Sequence, residues 1–222
     1  MIIGIAGFIG SGKDTLADYL VNFHQFRRDS FAAPLKDAAA AIFGWDREML
    51  EGRTKQARIK REEVDAWWAE KLNIPGFSPR MALQIMGTEA MRQVFSDNIW
   101  TASLERRMRD TMDDTVISDC RFANEMRAIK DSGGIVVRIT RGPNPDWYSI
   151  AETANQHVWN GTPASTESTK AAQQLKALDI HASEHSWIGA PFDAVIDNNG
   201  EIGDLYNKIK KLLPSTGMQA TR

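Results

Sequence analysis

The stretch "GFIGSGKDTLADYL", Gly7 to Leu20, follows directly on the apolar run "MIIGIA". Its spacing, Gly7-x4-Gly12-Lys13, is that of a phosphate-binding loop, and a strand-like run before with a helix-like run after is the context the pattern requires. Glycines let successive backbone N–H groups curve around a phosphate with no Cβ in the way. The helix N-terminus near Lys13 adds partial positive charge, and the Lys13 ammonium suits the β- and γ-phosphates of a nucleoside triphosphate. Gly10, Ser11, Gly12, Lys13, Asp14 and Thr15 are the candidate phosphate residues. A glycine turn joining a strand to a helix is the plain alternative, and Lys13 with Thr15 argues against it. Asp14 stands where a hydroxyl usually follows the lysine. Thr15 still offers a hydroxyl to magnesium, while Asp14 either meets the metal through water or only favours the helix N-terminus; both readings stay open.

The loop commits the chain to a βα start, and the rest continues the alternation. A helix is expected over "DTLADYLVNF", a short strand near "DSFA", and a helix over "PLKDAAAAIF" with Pro34 at its start. Residues 45–109 read as mainly helical, broken at "NIPGFSP". "TVISDCRF", "GIVVRITR" and "FDAVIDNNG" read as strands, "NEMRAIKDSG" and "EIGDLYNKIKKLL" as helices. Strands alternating with helices predict an α/β fold in three layers, a central mostly parallel sheet with helices on both faces. The expected organisation is one domain, 1–222, with a helical insertion over about 45–109, an insertion over about 142–180 and a flexible tail, 214–222.

Composition narrows the function classes. A net charge of −2 and a pI near 6.1 give no electrostatic case for nucleic acid or an anionic membrane. One cysteine and four scattered histidines offer neither a disulfide framework nor a cysteine- or histidine-rich metal site. No basic leader and no long apolar run is visible, which points to the cytoplasm. "STKAAQ" and "YNKIKK" lack the aspartate of a guanine-reading N/T-K-x-D motif, demoting a signalling GTPase. A small-molecule kinase remains, and it needs a second anion site. Lys36, Arg53, Arg58, Arg80, Arg92 and Arg121 are its candidates. Asp119, at the carboxyl end of a predicted central strand, lies where ligands bind in such sheets; it can hold magnesium through water or accept a hydrogen bond from a substrate hydroxyl, against a plain strand-end turn aspartate. Arg121 offers a planar fork for phosphate, against a surface ion pair with Glu125.

The blocks "GSGKDT", "FAAPLKDAAA", "PRMALQIMGTEAMRQVFSDNIW", "ISDCRFANEMRAI", "GGIVVRITR" and "HASE", in this order, resemble the deoxynucleoside monophosphate kinases of tailed bacteriophages. G-K-D-T is that family's form of the loop. The resemblance implies a P-loop kinase fold, magnesium as cofactor, and phosphoryl transfer from ATP to deoxynucleoside 5′-monophosphates in the host cytoplasm. It places ATP on Gly10 to Thr15, with Lys13, Asp119 and Arg121 catalytic and Thr15 with Asp14 toward the metal. Leu35, Lys36, Arg58, Gln84, Gly87, Thr88, Trp100, Arg121 and Glu125 fall to the monophosphate. Lys36 sits on its phosphate, Arg53 is an alternative to Arg58, and Trp100 is either a stacking base platform or an ordinary core tryptophan. His181 and Glu184 match a later motif of less defined role. The interval from Arg141 to His181 is longer than in those relatives and suits a lid over the phosphates or an oligomer contact, such as a homodimer. A phosphomevalonate-kinase-like enzyme and a non-catalytic ATP-binding regulator are the rival readings.

Overall fold

The structure, a computed structural model, describes residues 1–109 and 111–213; the expected flexible tail, 214–222, lies outside the described residues. The chain forms two compact units, one of residues 1–28 with 113–222 and one of residues 29–112. The helical unit is wider than the expected 45–109 because the helix carrying "PLKDA" packs with its neighbours there.

A five-stranded sheet organises the first unit, in the order β2-β3-β1-β4-β5. β1 (Ile2–Ala6) runs parallel to β3 (Thr115–Ile117) and to β4 (Ile135–Thr140), and β4 runs parallel to β5 (Ala194–Asp197). β2 (Arg27–Asp29) falls slightly ahead of its expected place at "DSFA". The alternation of side chains along β1 decides what covers each face. Ile3 and Ile5 join Leu16 and Leu20 of α1 (Lys13–His24) and Leu205 and Ile209 of α12 (Ile202–Lys210) in one buried cluster. Gly4 faces the other way, where a Cβ would come within 2.5 Å of Ile129 Cδ1 on α8 (Ala123–Asp131). Helices therefore cover both faces.

The segment 142–180 is a helical hairpin, α9 (Tyr148–Asn160) and α10 (Thr166–Ala177). Its polar composition hides a small apolar seam, with Ala151, Ala154, Ala171 and Leu175 buried. Asn155 Nδ2 donates to the carbonyls of His185 (2.6 Å) and Ile188 (3.1 Å), and Trp159 Nε1 to Ile188 O (2.9 Å). These bonds fasten the hairpin to the segment around α11 (Ala182–His185).

The second unit is helical: α2 (Ala33–Phe43), α3 (Arg47–Glu51), α4 (Lys55–Glu62), α5 (Ala66–Leu72), α6 (Pro79–Gln84) and α7 (Ile99–Met108). α6 runs straight into a π-helical stretch, Ile85–Phe95, a rare geometry that recurs at functional positions. Asp46, Thr54, Asp65 and Ser78 cap their helices through side-chain oxygens, which explains why so polar a segment breaks into short helices. No helix among the described residues is long and apolar enough to cross a membrane.

Candidate active site

The glycine loop joins β1 to α1 with three residues at positive φ: Gly7 at 148°, Gly10 at 80° and Gly12 at 104°. Gly7 and Gly12 are also closely approached. A Cβ on Gly7 would lie 2.4 Å from Ile139 O, and one on Gly12 2.4 Å from Asn198 Nδ2. No side chain caps α1, so its first N–H groups keep their partial charge for an anion. The Ser11 hydroxyl is buried and has no hydrogen-bond partner among the described residues.

Lys13 Nζ donates to the carbonyls of Gly7 and Phe8, both at 2.8 Å. Burial is the main force lowering its pKa, to about 8, and the Arg121 guanidinium adds to it; Asp14, Glu184 and Asp119 oppose the shift. Residues far apart in sequence thus act on one ammonium. Asp119 stands two positions past β3, at the carboxyl end of a strand beside β1, as ligand-binding residues do in open α/β sheets.

Arg121 is held from two sides. Its backbone N–H and that of Phe122 donate to Glu125 Oε2, at 2.7 and 3.1 Å. Glu125 is only 3 % exposed, so this carboxylate shapes the turn carrying Arg121. The Arg121 guanidinium donates from Nη1 to Ser183 Oγ at 3.4 Å and lies 3.8 Å from Glu184 Oε1. The Ser183 hydroxyl meets His181 Nδ1 at 2.8 Å. The "HASE" segment thereby becomes a support for Arg121, and its His181 also caps α11.

Asp14 has an unexpected partner. Its Oδ1 accepts from Arg28 Nη2, while Arg28 Nη1 donates to Asp18 Oδ1 at 2.6 Å and Nη2 to Ser118 Oγ at 3.1 Å. One arginine thus ties the first turns of α1 to the end of β3. Arg28 was invisible in the sequence because the second strand was expected after it. Asn198 was missed as well. Its Nδ2 donates to Ser11 O at 2.8 Å, holding the glycine loop from the end of β5. The available signal was its place just past a strand carboxyl end, in "VIDNNG".

In the second unit Leu35, Gly87 and Trp100 come together. Trp100 is 7 % exposed and its Nε1 donates to Gly87 O at 2.8 Å, so the indole is packed and oriented. A Cβ on Gly87 would meet Leu35 Cδ2 at 2.8 Å. Lys36 Nζ pairs with Glu51 Oε2 at 2.7 Å, and Arg47 Nη1 with Glu51 Oε1 at 2.6 Å. Arg58 Nη1 donates to the carbonyls of Gly52 (3.2 Å) and Arg53 (3.0 Å), closing the turn before α4. Gln84 ends α6 and Thr88 lies in the π-helical stretch, both half-buried.

No protein-family model matches the chain. Curated relatives do. A protein of Acanthamoeba polyphaga mimivirus, provisionally named a deoxynucleotide monophosphate kinase, is 35 % identical over 153 residues, covering 64 % of this chain and 74 % of its own. The deoxynucleoside-5′-monophosphate kinase of Escherichia phage T5 is 29 % identical over 184 residues, covering 60 % and 72 %. The deoxynucleotide monophosphate kinase of Escherichia phage RB69 is 24 % identical over 250 residues, covering 96 % and 99 %. With a glycine loop, a half-buried lysine and an arginine-bearing strand end in one unit, and relatives of that name at this identity and coverage, the chain belongs to the deoxynucleotide monophosphate kinase family.

Proposed function

We propose that the chain transfers the γ-phosphoryl group of ATP to the phosphate of a deoxynucleoside 5′-monophosphate, yielding ADP and the deoxynucleoside diphosphate. The observation that carries this reading is Lys13, half-buried in a strand–glycine-loop–helix junction and under the electrostatic influence of Arg121 and Asp119.

A phosphate oxygen of the acceptor attacks the γ-phosphorus, and the bond from that phosphorus to the β–γ bridging oxygen breaks. The acceptor is already an anion, so no general base is needed, and catalysis is alignment with charge neutralisation. Lys13 leaves the Gly7 and Phe8 carbonyls for the β- and γ-phosphate oxygens. The loop N–H groups from Gly10 to Thr15 hold the same phosphates, and a phosphate oxygen is a fitting acceptor for the buried Ser11 hydroxyl. Arg121, oriented by Ser183 and Glu184, neutralises charge on the transferred group. A magnesium ion bound here would supply positive charge against the charge of the phosphates. Among the described residues no group of three or more His, Cys, Asp or Glu side chains is placed to hold a metal ion. Such a sparse donor set suits an ion held largely by phosphates and water. Thr15 and Asp119 are the residues that would hold it; Asp14 is engaged with Arg28. In the second unit we assign Lys36 and Arg58 to the acceptor phosphate, with Leu35, Gln84, Gly87, Thr88 and Trp100 forming the wall for base and sugar. Supplies of ATP and deoxynucleotides place the reaction in the cytoplasm.

The test is coupled ADP release with ATP and magnesium against dGMP, dTMP, dAMP, dCMP, GMP and mevalonate 5-phosphate. Turnover of one or more deoxynucleotides that disappears in Lys13→Ala is the expected result. Silence on all nucleotides would overturn the reading, and activity on mevalonate phosphate would replace it.

A further inference from the structure

Phe8, the second residue of the glycine loop, has its carbonyl bonded to Lys13 and Ser11 of that loop and its ring elsewhere. Its carbonyl accepts from Lys13 Nζ at 2.8 Å and from the Ser11 N–H at 3.2 Å. Its ring meets three aromatic side chains edge-on: Trp187 with centroids 4.8 Å apart, Trp147 at 5.6 Å and Tyr148 at 6.2 Å. Ile9, its neighbour, is 58 % exposed, so the ring contact is particular to Phe8.

The surroundings of these rings are firmly built. Trp187 is 2 % exposed. Arg138 of β4 lies against the rings of Tyr148 and Trp187, 5.0 and 5.3 Å from their centroids. It also donates to the Tyr148 hydroxyl at 2.6 Å and to Asn144 Oδ1 at 3.1 Å. Trp147 and Tyr148 begin the hairpin α9–α10, and Asn155 and Trp159 of α9 bind the carbonyls of the segment that carries Trp187. The hairpin and that segment therefore present one aromatic seat to one residue of the loop.

We propose that Phe8 is a positioning residue for ATP and that the 142–190 segment acts on the reaction through it, as a brace that fixes the glycine loop from outside. Edge-to-face contacts each contribute modestly, but three of them on a loop made pliable by Gly7, Gly10 and Gly12 select one ring position, and with it the direction of the Phe8 carbonyl and of the N–H groups that follow. The brace explains why a kinase would keep a long hairpin here without needing it to close over the phosphates. It rests on ATP binding at the glycine loop.

The variants are Phe8→Ala, Phe8→Leu and, from the hairpin side, Trp147→Leu. Phe8→Ala is expected to raise KM for ATP about tenfold or more, through misplacement of the loop, while KM for the deoxynucleotide stays within about twofold. Phe8→Leu should show a smaller rise, and Trp147→Leu a rise in the same constant. ATP titration of the free protein, followed by tryptophan emission and checked in Trp147→Phe, should give the same loss of affinity. The brace is overturned if folded Phe8→Ala binds ATP as tightly as the wild type, or if the constants for ATP and deoxynucleotide move together. ATP binding decides this even if the wild type turns over no deoxynucleotide, an outcome that would sink the kinase reading separately.

Discussion

Lys13 carries the sharpest consequence at the scale of single residues. Burial and Arg121 lower its pKa to about 8 in the free protein. Above that pH the free protein loses the ammonium that meets ATP, whereas bound phosphates favour the charged form. kcat/KM for ATP should therefore fall above about pH 8 while kcat persists to higher pH, a split that a pH–rate profile reads directly. The stability effect has the opposite sense. The unfolded chain binds the proton more tightly than the folded one between about 8 and the ordinary 10.5, so this group's contribution to stability improves as pH rises through that window. Lys13→Ala should lower kcat by about 100-fold or more and leave the fold intact by thermal melting. Asp14 is different. Its carboxylate is 58 % exposed and pairs with Arg28, an arrangement worth about 0–1 kcal/mol. Asp14→Asn should shift the magnesium dependence of turnover by less than about threefold, since its carboxylate is engaged by Arg28 and the Ser118 hydroxyl. A magnesium midpoint displaced far more would return Asp14 to the metal.

At the scale of elements, the second unit concentrates charge on Glu51. Burial alone would raise its pKa, but Lys36 foremost, and Arg47, hold it down at about 2. Because the folded value lies below the unfolded one, the stabilisation is present at neutral pH and is lost as pH falls from about 4.5 toward 2. Glu51→Gln should cost about 1–3 kcal/mol in urea titration at pH 7 and flatten the acid limb, because half-buried Lys36 loses its carboxylate while Arg47 keeps only Asp37. The π-helical stretch makes a second prediction. Gly87→Ala pushes a methyl into Leu35, whose end must move by several tenths of an ångström, at about 1–3 kcal/mol of overpacking. KM for the deoxynucleotide should rise and KM for ATP should not; equal movement of both would argue against Leu35 and Gly87 as acceptor residues. The π geometry itself was not legible, because "LQIMGTEAMRQVF" has an ordinary helical pattern and only packing around Gly87 and Trp100 reveals the wider turn.

Across the whole molecule, protection should follow burial. Ile3, Ile5, Val116, Val137 and Ile139 are 0–1 % exposed in three adjacent strands, whereas α4 and α5 bury no residue fully. Hydrogen exchange should therefore be slowest in β1, β3 and β4 and fastest in α4 and α5, in accord with local opening where few apolar contacts hold the backbone. The alternating α/β order, the glycine loop and the helix start at Pro34 were all readable, because each depends on residues within a turn or two of one another. Asp119 and Arg121 were readable as residues at a strand end. What holds them was not. Glu125 turned out to bind the backbone of Arg121 and Phe122, Ser183 and Glu184 reach Arg121 across some sixty positions, Asn198 holds Ser11 across 187, and Phe8 finds its rings at the start of a polar hairpin and in the segment after it. By itself the sequence determined the local chemistry: a loop shaped for phosphate, a lysine to follow the charge, and strands with the right period. Only the tertiary structure decided which side chains steady that loop, because a hydrogen bond or ring contact needs two groups within a few ångströms, and sheet order rather than chain order brings them there.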